Sequence, residues 1–373
     1  MRKYYLDNLK WIAILCLFPI HTAVFYFPKG SHSFAFNNIS ENNLLLVFFL
    51  AITPILMGLL FLIAGMTTAY SLRGRSYGEY ILERTKKLLI PFLSGIGTVI
   101  PFMYYIVLLE NGENIGFIPF MKVYLSDPLC VISKCEHLWF ILCLFIVSLL
   151  SLIFIALASK RNFEISKEKI LIKVLILLGV FYLLLGRFIE FGATVTLSGA
   201  FVLLLIGYFF FRDDDVKVKL VEKKWLFVRV FVILTLGNII LNNNGYQTTI
   251  GLINDKVTWL FPYYGMITQW FGILALLSLG GKYLEFNNKV TRYFSKASFS
   301  IYIFHYPGIV MAAYIFAPLV KNQLIQFLII NGAGFIICMI IYEVIRRIPG
   351  LRFLFGLSKN RNSFRSLMDN KVY

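Results

Sequence analysis

Residues 7–21 read DNLKWIAILCLFPIH, and this stretch decides what kind of chain it belongs to. From Trp11 to Ile20 it is apolar without interruption, with Lys10 before the run and His21 after it. An ionisable group at bilayer depth is costly to desolvate, so one placed there marks a functional site rather than an anchor. Eleven residues are close to three helical turns. In one helix, Lys10 and His21 therefore share a face, with His21 about 16 Å deeper. A cation at the mouth and a base near mid-membrane suit a ligand that reaches partway across the bilayer.

The composition agrees with a membrane reading. Hydrophobic residues make up 59% of the 373 and charged residues 15%, where soluble domains carry about 25% charge. The class predicted is an all-α polytopic membrane protein of about ten transmembrane helices. The segments long and apolar enough to span lie near 9–27, 44–71, 88–109, 138–158, 170–188, 194–211, 225–241, 258–281, 297–318 and 323–345. The first is not expected to be a cleaved signal peptide, because Pro28-Lys29 follows it rather than a small-residue cleavage site. Residues 1–346 form one transmembrane domain on this reading, followed by a basic tail over 347–373, and the longest connection is 110–137.

Lysine and arginine set the orientation. With the N-terminus inside, the inner segments hold most of the 36 basic residues, and the outer ones hold Lys29, Lys122, Lys134, Arg187, Lys256 and Lys321. Both termini are thus expected in the cytoplasm. The net charge of +17 is explained by topology and anionic membrane lipids, with no call for nucleic acid. Asp213-Asp214-Asp215 reads as a solvated turn, Asn242-Asn243-Asn244-Gly245 as an outer turn, and the tryptophans near helix ends as an aromatic belt.

Cys16, Cys143 and Cys338 lie in apolar segments and read as packing residues. Cys130 and Cys135 share the long outer connection, where pairing and free thiols both stay open. The four histidines are spread along the chain with no metal-site spacing, so no metal is expected.

The motifs also carry a resemblance. Leu6-Asp7-Asn8-Leu9-Lys10, followed by His21, resembles the first-helix signature of the membrane-bound acyltransferase 3 family, an Arg or Lys, ten residues, then a His. Phe61-Leu62-Ile63-Ala64-Gly65 leads to Ser71-Leu72-Arg73 and Glu83-Arg84-Thr85-Lys86-Lys87, similar to that family's basic second loop. His137-Leu138-Trp139-Phe140 is similar to its LWF-type helix start, and Ser298-x-x-x-Tyr302-x-x-His305 to a late helix motif. The likeness runs over nearly the whole chain.

The resemblance implies an integral-membrane O-acyltransferase of the cell membrane. It would move an acyl group, acetyl in the usual case, from cytoplasmic acyl-CoA to a hydroxyl of an extracytoplasmic sugar or polysaccharide. His21 would be the general base. Lys10, Arg73, Arg84 and Lys87 would bind the donor, whose phosphates call for cations. His137, Trp139, Tyr302 and His305 would face the acceptor. The donor co-substrate is then acetyl-CoA or another acyl-CoA, and the acceptor a glycan or lipid-linked sugar. Competing readings stand beside these: positive-inside topology for the basic loop, packing around Pro307 for His305, and an interfacial position for His137.

Two other classes fit a chain of this composition. A transporter or flippase would share the ten helices, and 44–71, with Pro54, Gly58 and Gly65, is readable as a broken helix. A sensor or scaffold needs neither His21 nor the basic loop.

Overall fold

The computed structural model of the chain describes residues 3–28, 33–127, 132, 134–160, 172–189, 196–212, 214–243 and 261–357. All regular structure among them is helical. In chain order the helices are α1 (Tyr4–Leu15), α2 (Leu17–Val24), α3 (Asn43–Ser71), α4 (Tyr77–Arg84), α5 (Ile90–Glu110), α6 (Phe117–Leu125), α7 (Trp139–Lys160), α8 (Ile172–Leu185), α9 (Leu197–Phe210), α10 (Asp214–Glu222), α11 (Lys224–Asn243), α12 (Phe261–Tyr283), α13 (Lys289–Phe316), α14 (Gln323–Ile345) and α15 (Pro349–Leu354). The described part of each of the ten apolar segments overlaps one of these helices, that of the first α1 and α2 together.

Five helical stretches among the described residues are long and apolar enough to cross a membrane: Tyr77–Glu110, Glu136–Lys160, Pro262–Tyr283, Lys289–Leu319 and Gln323–Ile345. Shorter apolar helices run over Ile55–Ser71, Lys173–Leu185 and Leu197–Phe210. The chain is a multi-pass membrane protein.

The first apolar segment is not one uninterrupted helix. The break falls at Cys16, three residues before Pro19, whose ring nitrogen cannot donate to the carbonyl of Leu15. The two pieces still follow one another closely, because Cys16 keeps right-handed helical torsions and Ile20 N–H donates to Cys16 O at 3.3 Å. The connection at 72–87 is helical for most of its length. Ser76 caps α4 by accepting from Glu79 N–H, while the Glu79 carboxylate accepts from Ser76 N–H, a reciprocal capping box. A π-helical turn, Thr85–Leu89, joins α4 to α5. Pro91 explains it, since it cannot donate to Lys87 O and its ring would crowd that carbonyl.

Other short helices lie where loops were expected. Residues 117–125 of the long connection 110–137 form α6, and Asp214 and Asp215 open α10, with Asp214 paired to Lys3 at 2.9 Å. Acidic side chains in a first turn favour that start. Of the turn expected at Asn242-Asn243-Asn244-Gly245, Asn242 and Asn243 instead end α11, and Asn244 and Gly245, like His32 and Cys130, lie outside the described residues.

Close approach of helices rests on small residues. Gly65 in α3 meets the backbone of Leu204, and Gly207 in α9 meets that of Leu62, so a Cβ at either position would overlap a carbonyl of the other helix. At the centre stands α13, whose spanning window is 72% buried, against 22% for α14 on the periphery. Asn288 starts α13 by capping Thr291 N–H at 2.9 Å. Asn8, almost wholly buried, pins α1 to the end of α12. Its amide donates to Leu284 O and Phe286 O at 2.7 and 2.9 Å, and its carbonyl oxygen accepts from Trp11 Nε1 at 2.9 Å. Trp11 also stacks on Phe294, ring centroids 5.3 Å apart, so packing as well as a belt position explains it.

Candidate active site

Proline also shapes the site. Pro307 lies inside α13 and leaves the carbonyl four residues back, that of Ile303, without its helical donor. His137 Nε2–H fills the place, donating to Ile303 O at 2.9 Å. The hydrogen bond fixes the tautomer: with Nε2 protonated, neutral His137 keeps a lone pair on Nδ1, which is buried and has no hydrogen-bond partner among the described residues. Tyr302 OH donates to the His137 backbone carbonyl, tying the same two elements together a second time.

His305, one helical turn beyond Ile301, is wholly buried. Its Nδ1–H donates to Tyr302 O at 2.6 Å, which leaves Nε2 as a buried acceptor with no hydrogen-bond partner among the described residues. Its ring centroid lies 5.0 Å from that of His21 and 5.2 Å from that of His137. Tyr306 also packs on His21, centroids 4.4 Å apart. Three of the four histidines thus converge between α2, α13 and the start of α7, and His21 is the only one of the three that is not fully buried.

Before His137 stands Glu136, whose φ of 44° puts a non-glycine residue in the left-handed region. Such a conformation costs on the order of 1 kcal/mol or more and persists only when its surroundings hold it. Here the Glu136 carboxylate accepts from Tyr104 OH, and both bonds of His137 hold the next residue.

A cavity of about 800 Å³ lies at the end of the bundle that carries the N-terminus. Seven basic side chains line it: Lys10, Arg84, Lys87, Lys296, Arg346, Arg347 and Arg352. Lys87, Lys296, Arg346 and Arg347 are exposed at its rim, whereas Phe140, Ile141 and Tyr302 are buried at its floor. Asp7, Glu83 and Glu343 balance part of this charge through Lys10, Lys87 and the Arg346–Arg347 pair. The Arg84 guanidinium lies over the Tyr80 ring at 4.7 Å, and its Nε is buried with no hydrogen-bond partner among the described residues. The lining stops at Tyr302, and the histidines form the next layer.

Lys10, Ile14, Phe18 and His21 make a stripe spaced four, four and three residues apart, the spacing of one helix face. Lys10 and Ile14 line the cavity beside Tyr302, while Phe18 and His21 touch His305. The whole stripe faces α13 despite the break at Cys16.

Of the residues singled out by sequence, Lys10, Arg84, Lys87 and Tyr302 line the cavity, and His21, His137 and His305 form the cluster behind it. Arg73 does not join them: it is exposed and lies over the Tyr70 ring at 5.1 Å. Trp139 packs edge-on to Phe140 and is not part of the lining. Lys296, Arg346, Arg347 and Arg352 were legible only as topology charges, and Tyr306 as a residue between His305 and Pro307. The spacing of Tyr306 from Tyr302, four residues, was the available signal.

A family model described as an acyltransferase domain, that of the acyltransferase 3 family, matches residues 3–343. The chain belongs to the acyltransferase 3 family. This family member is similar to the glucans biosynthesis protein C of Salmonella paratyphi B, with 26% identity over 380 residues, 95% of this chain and 94% of the relative. The proteins of the same name from Salmonella heidelberg and Salmonella typhi are 26% identical over the same shares. No solved structure matches the chain. The histidine layer lies directly behind the basic cavity of this membrane acyltransferase.

Proposed function

We propose that this acyltransferase 3 family member transfers an acyl group from acyl-CoA, acetyl-CoA in the simplest case, to a hydroxyl of an extracytoplasmic glycan. The basic cavity faces the cytoplasm and both termini lie on that side, with ten helices crossing the membrane. The observation that carries the reading is the sequence of layers along one axis: a cationic rim, an apolar floor at Tyr302, then His21 against His305. Acyl-CoA has the matching order, phosphates at one end, a thin pantetheine arm, and the thioester at the other.

In this mechanism the phosphates sit among Arg84, Lys87 and their neighbours, and the arm runs along the Lys10–Ile14 face past Tyr302. His21 takes the proton of the acceptor hydroxyl as its oxygen attacks the thioester carbon. The carbon–sulfur bond breaks, the sugar ester forms, and the proton on His21 passes to the departing thiolate of CoA. Imidazole suits this work near neutral pH. The buried His305, with Nε2 unprotonated and Nδ1 committed to Tyr302 O, and the ring of Tyr306 hold His21 in place. His137 and Trp139 stand at the acceptor end. The relatives named for glucan biosynthesis support a glucan as the acceptor class.

The test is to reconstitute purified protein in nanodiscs with acetyl-CoA or succinyl-CoA and a glucan oligosaccharide, following free thiol and the mass of the glycan. Thiol release with a matching gain in glycan mass is expected. Movement of glycan across a liposome membrane without thioester cleavage would overturn the reading in favour of transport.

A further inference from the structure

The family match ends at residue 343, yet the cavity does not. Arg346, Arg347, Arg352, Gly356 and Leu357 all line it from the segment beyond. That segment is seated by its own sequence. Pro349 opens α15, where its missing N–H costs nothing. Gly356, at φ +69°, closes α15: its N–H donates to Phe353 O at 3.2 Å, and Leu357 N–H to Arg352 O at 2.8 Å, the two bonds of a Schellman motif.

Glycine is required at 356 for space as well. A Cβ there would stand 2.9 Å from both Phe299 and Pro91 and 3.2 Å from Lys87 O. The buried Phe355 packs on Phe304, ring centroids 4.8 Å apart. The segment therefore clasps the π turn and α5 on one side and α13 on the other, the two walls of the basic cavity. On those walls, Lys87 and Lys296 present their charges toward the same space as Arg347 and Arg352.

We propose that this C-terminal clasp is part of the nucleotide subsite: Arg347 and Arg352 bind the phosphate groups of the donor opposite Arg84 and Lys87. The ligand is an adenosine bisphosphate, the end of CoA that carries separated anionic groups. Arginine's planar fork of donors suits phosphate oxygens in pairs. Residues past the last long helix thereby become donor-binding residues rather than a tail that only marks the inner side of the membrane. The proposal rests on the acyl-CoA reading above.

Its test uses the full chain in phosphatidylcholine nanodiscs, titrated calorimetrically with CoA, with dephospho-CoA and with adenosine 3′,5′-bisphosphate. Wild-type protein is expected to bind CoA and the bisphosphate. Arg347→Gln with Arg352→Gln should weaken both by about 10- to 100-fold, as expected for charged hydrogen bonds, and weaken dephospho-CoA less. The KM for the glycan should not move. If the double variant melts early, Arg347→Gln alone carries the test, because that side chain is 74% exposed; a loss of about threefold or more is expected from it. Equal CoA affinity in wild type and variants would overturn the clasp as a subsite while leaving the donor reading intact. A difference that appears only in nanodiscs containing phosphatidylglycerol would assign the arginines to anionic lipid. No CoA binding by the wild type would overturn the donor reading itself, and the clasp proposal with it.

Discussion

His137 Nε2 lies 2.9 Å from the carbonyl oxygen of Ile303, the carbonyl that Pro307 leaves without a helical donor. The pairing joins the start of α7 to the central helix at the level of the histidine cluster. A defect in one helix is repaired by a side chain from another, so the two elements are fixed in register exactly where His305 meets His21.

The pairing makes a prediction about His137. His137→Leu should leave Ile303 O buried and unsatisfied and cost about 1–3 kcal/mol. His137→Gln, which keeps a donor on a side chain of similar reach, should recover much of that stability. Thermal melting of the two variants in detergent checks this, and equal melting temperatures would mean that the bond contributes nothing.

Restoring the helical donor should have the opposite structural effect and a functional cost. Pro307→Ala supplies an N–H that competes for Ile303 O, so the helix gains while His137 loses its partner. The protein should insert and remain folded, with acyl transfer reduced about tenfold or more, as for misplaced catalytic groups. Turnover measured beside melting temperature separates the two.

Helix packing depends on the reciprocal glycines of α3 and α9. Gly207→Ala pushes a methyl group into the Leu62 carbonyl and should destabilise the protein by about 1–3 kcal/mol. Gly265→Ala meets nothing within 4 Å and should be neutral or slightly stabilising, since alanine is the better helix former. Monodispersity on size exclusion and melting temperature report both outcomes.

The stripe from Lys10 to His21 can be tested by rotation. Lys10→Arg should keep much activity and Lys10→Met should lose most of it, if the charge guides the donor. Lys10→Leu combined with Trp11→Lys keeps the net charge but turns the cation about 100° away from the cavity. That variant should insert and be inactive; full turnover would detach the register of residues 10 and 21 from function.

How far such features were legible in the sequence follows from their physics. Apolar runs such as 323–345 are long and unmistakable, and helices follow them almost residue for residue. The Lys10–His21 stripe was legible because a helix face has a fixed period, even though Pro19 breaks the segment at Cys16. Amphipathic pieces such as α4 and α10 were not, since short charged helices look like loops when only hydropathy is read. The meeting of His137 with Ile303 was beyond reach for another reason. A backbone carbonyl has no residue type to mark it, and the pairing spans 166 positions. Arg84 and Lys87, three apart on one helix face, already stood ahead of Arg73 in the sequence, and the fold places Arg84 in the cavity and leaves Arg73 exposed.

The central claim is that His21 takes the proton, and substituting it is the most direct test. His21→Ala in the purified, nanodisc-embedded protein should lower the rate of acyl transfer to the glycan by about 10²–10⁴-fold, with CoA binding and melting temperature close to wild type. A His21→Ala protein that turns over at a near wild-type rate would contradict the account.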